Sequence, residues 1–378
     1  MNNRVMLFIP VTCGLAFFLG LQVGGFQLVL LQTAQTFQLD TIMMGGLVAA
    51  QFSAITLGPL FFGWAADRFG NKKILLICMP LFIVGCFGAA VSNTAMMFAG
   101  MVFIAGIGYS VTECISSSAL SDSFPNRVSR YLNLMQCFFC LGAVASPLIF
   151  NILISAFLVS WRAVFFTAGG GYILLYPLLM LSRCEKQHLP EESKAESPSR
   201  FFSVFLISLV AAMLIYVSME MGVSFFADSM FAIEYSNTSL GAYAISGFWF
   251  SMMASRLVFA LIKMKPQTMV MLGFFVCFLL FIILLLFRNQ WVLLGVIILL
   301  GFVLGPVWPM LMGIGTSSYK QRSGTVASIL AASGGLGGVI SPVVIGFVAK
   351  HAGFYGSFWL FAAVSLFGFI LMWFYRKI

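Results

Sequence analysis

GWAADRFGNKK, residues 63–73, places Asp67, Arg68, Lys72 and Lys73 within a single short turn between two long apolar runs. Only 8% of the 378 residues are charged, so four charges in one turn need a reason. The flanking runs give the first part of it. They belong to a chain that is 61% hydrophobic with a mean hydropathy of +1.04, whereas a soluble domain is about half apolar and about a quarter charged. A bilayer crossing needs roughly 20 apolar residues in a row, and this sequence supplies such runs almost end to end. The chain reads as a polytopic membrane protein, and the turn as one of its polar loops.

Apolar runs and loop signals divide the chain into twelve segments: 5–31, 42–66, 74–92, 96–119, 131–155, 162–182, 201–227, 240–262, 268–287, 290–315, 324–349 and 354–375. The first is too long for a signal-peptide core and is kept as a span. All are expected to be helices, because an open strand edge cannot satisfy its backbone in lipid. With the N-terminus inside, 17 of the 20 Lys and Arg residues fall on one side, and only Arg162, Arg288 and Lys350 on the other. The positive-inside rule then places both termini in the cytoplasm. The same distribution accounts for the net charge of +9 without nucleic acid, since the basic residues form short loop groups rather than a stripe. Seven of the eight cysteines lie inside apolar runs and read as small packing residues. Cys137 and Cys140 have no nearby His, so no metal and no cofactor is expected.

The longest polar stretch, RCEKQHLPEESKAESPSR (183–200), has mixed charge and no apolar periodicity. It reads as a cytoplasmic linker between a six-helix bundle at 1–182 and another at 201–378. The halves repeat. Shifted by 195 residues, LGAVASP (141–147) falls on LGGVISP (336–342), and Gly100, Gly106 and Arg127 fall on Gly295, Gly301 and Arg322. Parallel repeats of this kind set a binding site between the halves, near the bilayer midplane.

In the opening turn, Gly63 permits close helix approach and Gly70 the tight reversal. Asp67 is placed to meet a basic residue or a helix N-terminus, and RSGTVAS (322–328) offers such an end. Anchoring alone would need only basic residues. The pattern Gly-x-x-x-Asp-Arg-x-Gly-x-Lys-Lys between the second and third of twelve spans resembles the loop signature of the major facilitator superfamily, with Asn71 where a basic residue is usual. That resemblance implies an all-α membrane fold of two pseudo-symmetric six-helix bundles. It also implies a cytoplasmic gate made by Gly63, Asp67, Arg68, Gly70, Lys72 and Lys73 against the eleventh segment.

Three stretches, 106–125, 130–147 and 216–226, are similar to the fucose–galactose–gluconate proton symporter branch of that superfamily. Glu113, Glu220, and Asn133 with Gln136 match its membrane acids and its Asn–Leu–x–Gln run. The aspartate of a fucose permease's first span has no match here, where only Gln22 and Gln27 occur, so the coupling scheme does not carry over whole.

By these limits Glu113 and Glu220 are the acids lying more than a turn inside a span. A carboxylate at that depth must pair, meet water or take up a proton, and this makes both proton-coupling candidates. Gly106, Tyr109, Ser110, Glu113 and Ser117 share one helix face; Ala212, Tyr216, Glu220 and Ser224 form a second stripe. Arg256 stands at about the depth of Glu113; it either pairs with Glu113 or joins the gate. Gln22, Asn133, Gln136, Tyr216, Trp249 and Trp308 are the candidate substrate contacts. GPVWPM (305–310) sets Trp308 between prolines, where the helix should break.

The expectation is a monomeric secondary transporter in a bacterial inner membrane, with membrane lipid around it. It would couple a proton, or Na⁺, to a small neutral, sugar-like substrate. A proton-driven exporter of lipophilic or cationic compounds and a non-transporting receptor stand as alternatives. The chain carries no HExxH, GxSxG or phosphate-loop motif, and its two histidines fall in loops on opposite sides, so an enzyme is not expected.

Overall fold

The computed structural model describes residues 6–124, 128–183, 203–261, 264–319 and 323–375. The described residues are helical throughout, with no strand among them. The helices are α1 Phe8–Thr36, α2 Thr41–Phe69, α3 Asn71–Val91, α4 Ala95–Ser123, α5 Val128–Phe157 and α6 Ala163–Leu181. They continue with α7 Val204–Tyr235, α8 Thr238–Leu261, α9 Pro266–Leu286, α10 Gln290–Leu304, α11 Val307–Ser318 and α12 Ser323–Tyr375. Among the described residues, ten stretches are long and apolar enough to cross a membrane, one running through α10 and α11. The protein is an integral membrane protein.

Local chemistry explains the ends. Thr94 and Asn289 accept the backbone N–H groups of Met97 and Trp291 at the starts of α4 and α10, satisfying donors that a helix leaves open. Pro266 opens α9, where its missing N–H costs nothing. Gly70, with φ +95°, links α2 to α3 in a conformation that favours glycine.

Three boundaries differ from the sequence expectation. Helix α7 runs on to Tyr235, closing with Ser236 in the left-handed region, rather than stopping at 227. The tenth segment is divided at Gly305–Pro306 into α10 and α11. The last two segments form one helix interrupted at Gly353, where φ is +70°. Of the expected linker, residues 184–200 lie outside the described residues.

The described residues group into two compact units. One holds α1, α2 from Leu47 onward, and α3–α6; the other holds Asp40–Gly46 and α7–α12. Within each unit glycines let helices touch backbone to backbone, the close approach that substitutes in lipid for a hydrophobic drive. A methyl group at Gly142 of α5 would overlap the Phe17 carbonyl and crowd the Leu21 nitrogen on α1. At Gly337 of α12 it would meet the Leu214 carbonyl and the Ser218 nitrogen on α7. Gly106 abuts Gln51 as Gly301 abuts Phe248, and Gly25 faces Ser146 as Gly222 faces Ser341. The 195-residue repeat thus has a physical basis: equivalent glycines make equivalent contacts in each unit.

Candidate functional site

The opening turn is placed in part. Lys72 Nζ donates to the carbonyl of Met180, at 2.8 Å, and to that of Ser182. It therefore caps the C-terminus of α6 in its own unit, where a cation offsets the open carbonyls. The sequence reading gave Lys72 only the gate. Arg68 lies against the Phe69 ring at 5.7 Å, and Lys73 is exposed. The side chain of Asp67 falls outside the described ones, as does the environment of Gly63, so docking on the eleventh segment remains an expectation.

In the first unit, α1, α4 and α5 line a small cavity with a largely apolar wall that includes Leu15, Ala16, Leu19 and Met135. Glu113 and Gln136 line it with Thr12, Thr112, Ser116 and Phe139. It has about 10 Å³ of room for the centre of a water-sized sphere, enough for about one water. Gln136 Nε2 donates to Glu113 Oε1 at 3.4 Å. The Ser116 hydroxyl is buried without a hydrogen-bond partner, while that of Thr112 lies beside the Tyr172 hydroxyl. Spacing had selected Ser117, but its hydroxyl bonds back to the Glu113 carbonyl at 2.8 Å; Ser116, one position earlier, reaches the cavity. Gln22 is fully buried and accepts from Gln51 Nε2 at 2.9 Å, leaving Gln22 Nε2 and Gln51 Oε1 unpartnered. Asn133 sits on α5, one turn before Gln136, with its side chain outside the described ones.

The second unit gathers Tyr216, Glu220, Arg256 and Trp308. Tyr216 and Glu220 are buried, and the Trp308 ring centroid lies 6.2 Å from that of Tyr216. The Tyr216 hydroxyl has no partner in hydrogen-bond geometry, yet Glu220 and Arg256 are both close enough to act on it by charge. Arg256 Nε donates to the Gly305 carbonyl at 3.1 Å, at the break between α10 and α11. That carbonyl's helical donor would be residue 309, and Pro309 has no N–H. Arg256 supplies the missing bond. It was expected with Glu113 or with the gate, and the structure sets it beside Tyr216 in the second unit. Trp249 is buried, with its ring edge-on against that of Phe248 at 5.7 Å between centroids.

This geometry can be set beside known proteins. The family model described as Major Facilitator Superfamily matches residues 12–342. The chain belongs to the major facilitator superfamily. Among relatives of this superfamily member, the 3-(3-hydroxy-phenyl)propionate transporter of Escherichia coli (strain K12) is 28% identical over 204 residues, which are 53% of this chain and 49% of that one. The chain therefore aligns with about half the length of that relative. A TsgA homolog of Buchnera aphidicola is 21% identical over 84% of this chain and 83% of its own. A solved D-xylose–proton symporter has the same fold, with a TM-score of 0.80, 13% identity, and coverage of 98% and 97%.

Sequence reasoning missed one acid of this superfamily member. Asp228 lies inside α7 and is 3% exposed. The segment limit at 227 excluded it, although the four-residue stripe through Ala212, Tyr216, Glu220 and Ser224 continues onto it.

Proposed function

We propose that this protein is a secondary transporter that moves a small polar solute by alternating access, coupled to protons through Glu113 and Glu220. The chain then crosses a bacterial inner membrane twelve times, as two six-helix bundles joined at 183–200 with both termini in the cytoplasm. It works as a monomer, and its 63–73 turn gates the cytoplasmic side. The observation that carries this reading is the first-unit cavity, where Glu113 and Gln136 stand beside the buried Ser116 hydroxyl, which lacks a partner. Unsatisfied buried polar groups are costly; at its present size the cavity meets them with about one water, and a hydroxyl-bearing solute would meet them once the helices part to admit it. A carboxyl group at that depth is stable when it carries a proton or finds a partner. Glu113 thus links proton occupancy to solute binding. These donors and acceptors fit a neutral, sugar-like substrate.

A second reading has its own observation. Arg256, Tyr216 and Trp308 join a guanidinium to two aromatic rings, which suits an aromatic carboxylate, and one relative is named for such a substrate. A thermal-shift screen of purified protein with hexoses, pentoses and hydroxyphenylpropionate separates the two. Stabilisation by sugars supports the first, stabilisation by the aromatic acid supports the second, and none by either overturns both substrate classes.

With the active compound in proteoliposomes, Glu113→Gln should abolish accumulation driven by a pH gradient while counterflow exchange persists. Undiminished accumulation would remove Glu113 from coupling.

A further inference from the structure

We propose that Asp228 is a proton-binding site distinct from Glu113 and Glu220, a carboxyl group that holds a proton at the contact between α7 and α8. The residue is 3% exposed, and its Oδ1 is buried with no hydrogen-bond partner. Its neighbours along α7, Phe225, Phe226, Ala227 and Phe231, are fully buried. Across from it stands Gly241 of α8, where an added Cβ would overlap Oδ1 and come within 2.6 Å of the Asp228 Cα. Glycine at 241 therefore brings the α8 backbone onto the Oδ1 side of the carboxyl group.

The charged and titratable groups on the surrounding helices are otherwise engaged. On α7, Glu220 lies two turns away beside Tyr216, and Glu234 Oε1 accepts the Phe354 N–H at 3.2 Å. The Tyr235 hydroxyl pairs with that of Tyr355, and Arg288 covers the Tyr355 ring at 5.0 Å. On α12, Lys350 binds Asp40 and His351 Nδ1 meets the Phe347 carbonyl. Tyr243 of α8 is exposed, and Arg256 is at Gly305. Helices α10 and α11 carry no titratable side chain against α7. Among the described residues no ion pair reaches Asp228.

An ionised carboxylate there would have lost most of its water and gained no counter-charge. Protonation removes the charge at once and needs no further ligands. A metal cation would need several oxygen donors around it. Asp228 continues the stripe that holds Glu220, so α7 carries two carboxyl groups on one face, two turns apart. Any part it takes in coupling rests on the transporter reading above; its proton does not.

The test uses infrared spectroscopy of the purified full chain and needs no substrate. The chain has four aspartates: Asp40, Asp67, Asp122 and Asp228. At neutral pH one carbonyl band of a protonated carboxylic acid should shift when aspartate is isotope-labelled, apart from any band of a protonated glutamate. It should vanish in Asp228→Asn, survive in Glu220→Gln, and fade as the pH is raised. Labelled wild-type protein gives the first readout even where a variant fails to fold. The absence of any protonated-acid band that shifts with aspartate labelling, or the persistence of that aspartate-sensitive band in folded Asp228→Asn, would overturn the proposal. So would loss of the band on adding NaCl at constant pH, since the site would then bind sodium. Failure of the transporter reading would leave the band in place, so the two failures are distinguishable.

Discussion

Arg256 shows how a residue acquires a role that its position in sequence does not display. It lies in α8, far along the chain from the break in the tenth segment, and its guanidinium replaces a donor that Pro309 deletes. The break itself was legible, because GPVWPM puts two prolines within four residues. The donor was not, because nothing in helical periodicity ties position 256 to position 305. Asp228 was lost for a simpler reason: a boundary drawn eight residues short put it outside the membrane. The pairing of Arg256 with Gly305 makes a prediction. Arg256→Ala leaves a carbonyl without its donor and should lower stability by about 1–3 kcal/mol, read as an earlier thermal transition in detergent. Adding Pro309→Ala returns an N–H one turn below Gly305 and should recover most of that loss. Pro309→Ala alone should change little. Independent, additive effects of the two substitutions would refute the donor replacement.

At the level of helices, the repeat was visible only where one register persists. Positions in α4 and α5 recur in α10 and α12 after 195 residues, and the ungapped comparison found them. In the first two helices of each unit the contact partners recur after 197: Phe17 and Leu214, Leu21 and Ser218, Gln51 and Phe248. A two-residue change of offset hid these from a single shift. Once the offsets are known, even a reciprocal pair emerges, Gly58 facing Ser110 in one unit and Gly305 facing Ser255 in the other. What repeats is the packing; the chemistry does not, since Glu113 corresponds to Trp308. Substitutions should follow the same division. Gly142→Ala and Gly337→Ala each force a backbone contact apart and should each cost about 1–3 kcal/mol. Gly100→Ala and Gly295→Ala, a repeated pair with nothing within 4 Å of an added Cβ, should instead stabilise by about 0.5–1 kcal/mol. Thermal unfolding of the four variants checks this, and a cost at the open pair equal to that at the packed pair would defeat the division.

Across the whole chain, the contact least accessible to sequence reasoning joins residues 310 positions apart. Lys350 Nζ binds Asp40 Oδ2 at 2.7 Å. Beside this pair, Thr41 Oγ1 donates to the Gly346 carbonyl at 3.0 Å, and Gly45 and Gly346 lie against the Pro342 and Thr41 carbonyls. Residues 40–46 are fastened to α12 in this way, and so group with the second unit while the rest of α2 belongs to the first. The charge count had treated Lys350 only as one of three basic residues outside the majority. The ammonium of Lys350 holds the Asp40 carboxyl below the usual carboxylate range. A carboxyl lowered by its partner adds stability above its unperturbed titration and loses it as the pH falls through the lowered one. The pair is exposed and its contribution is screened by salt, so a local probe suits it better than global unfolding. A spin label on Met43→Cys, in a background with the native cysteines replaced, reports the mobility of this segment. Mobility should rise at neutral pH in Lys350→Gln. With both charges present it should rise only in acid, as Asp40 takes up its proton, and Asp40→Asn should be mobile across the range. Equal mobility in all three at every pH would mean that the hydroxyl bond and the two glycine contacts hold the segment without the ion pair.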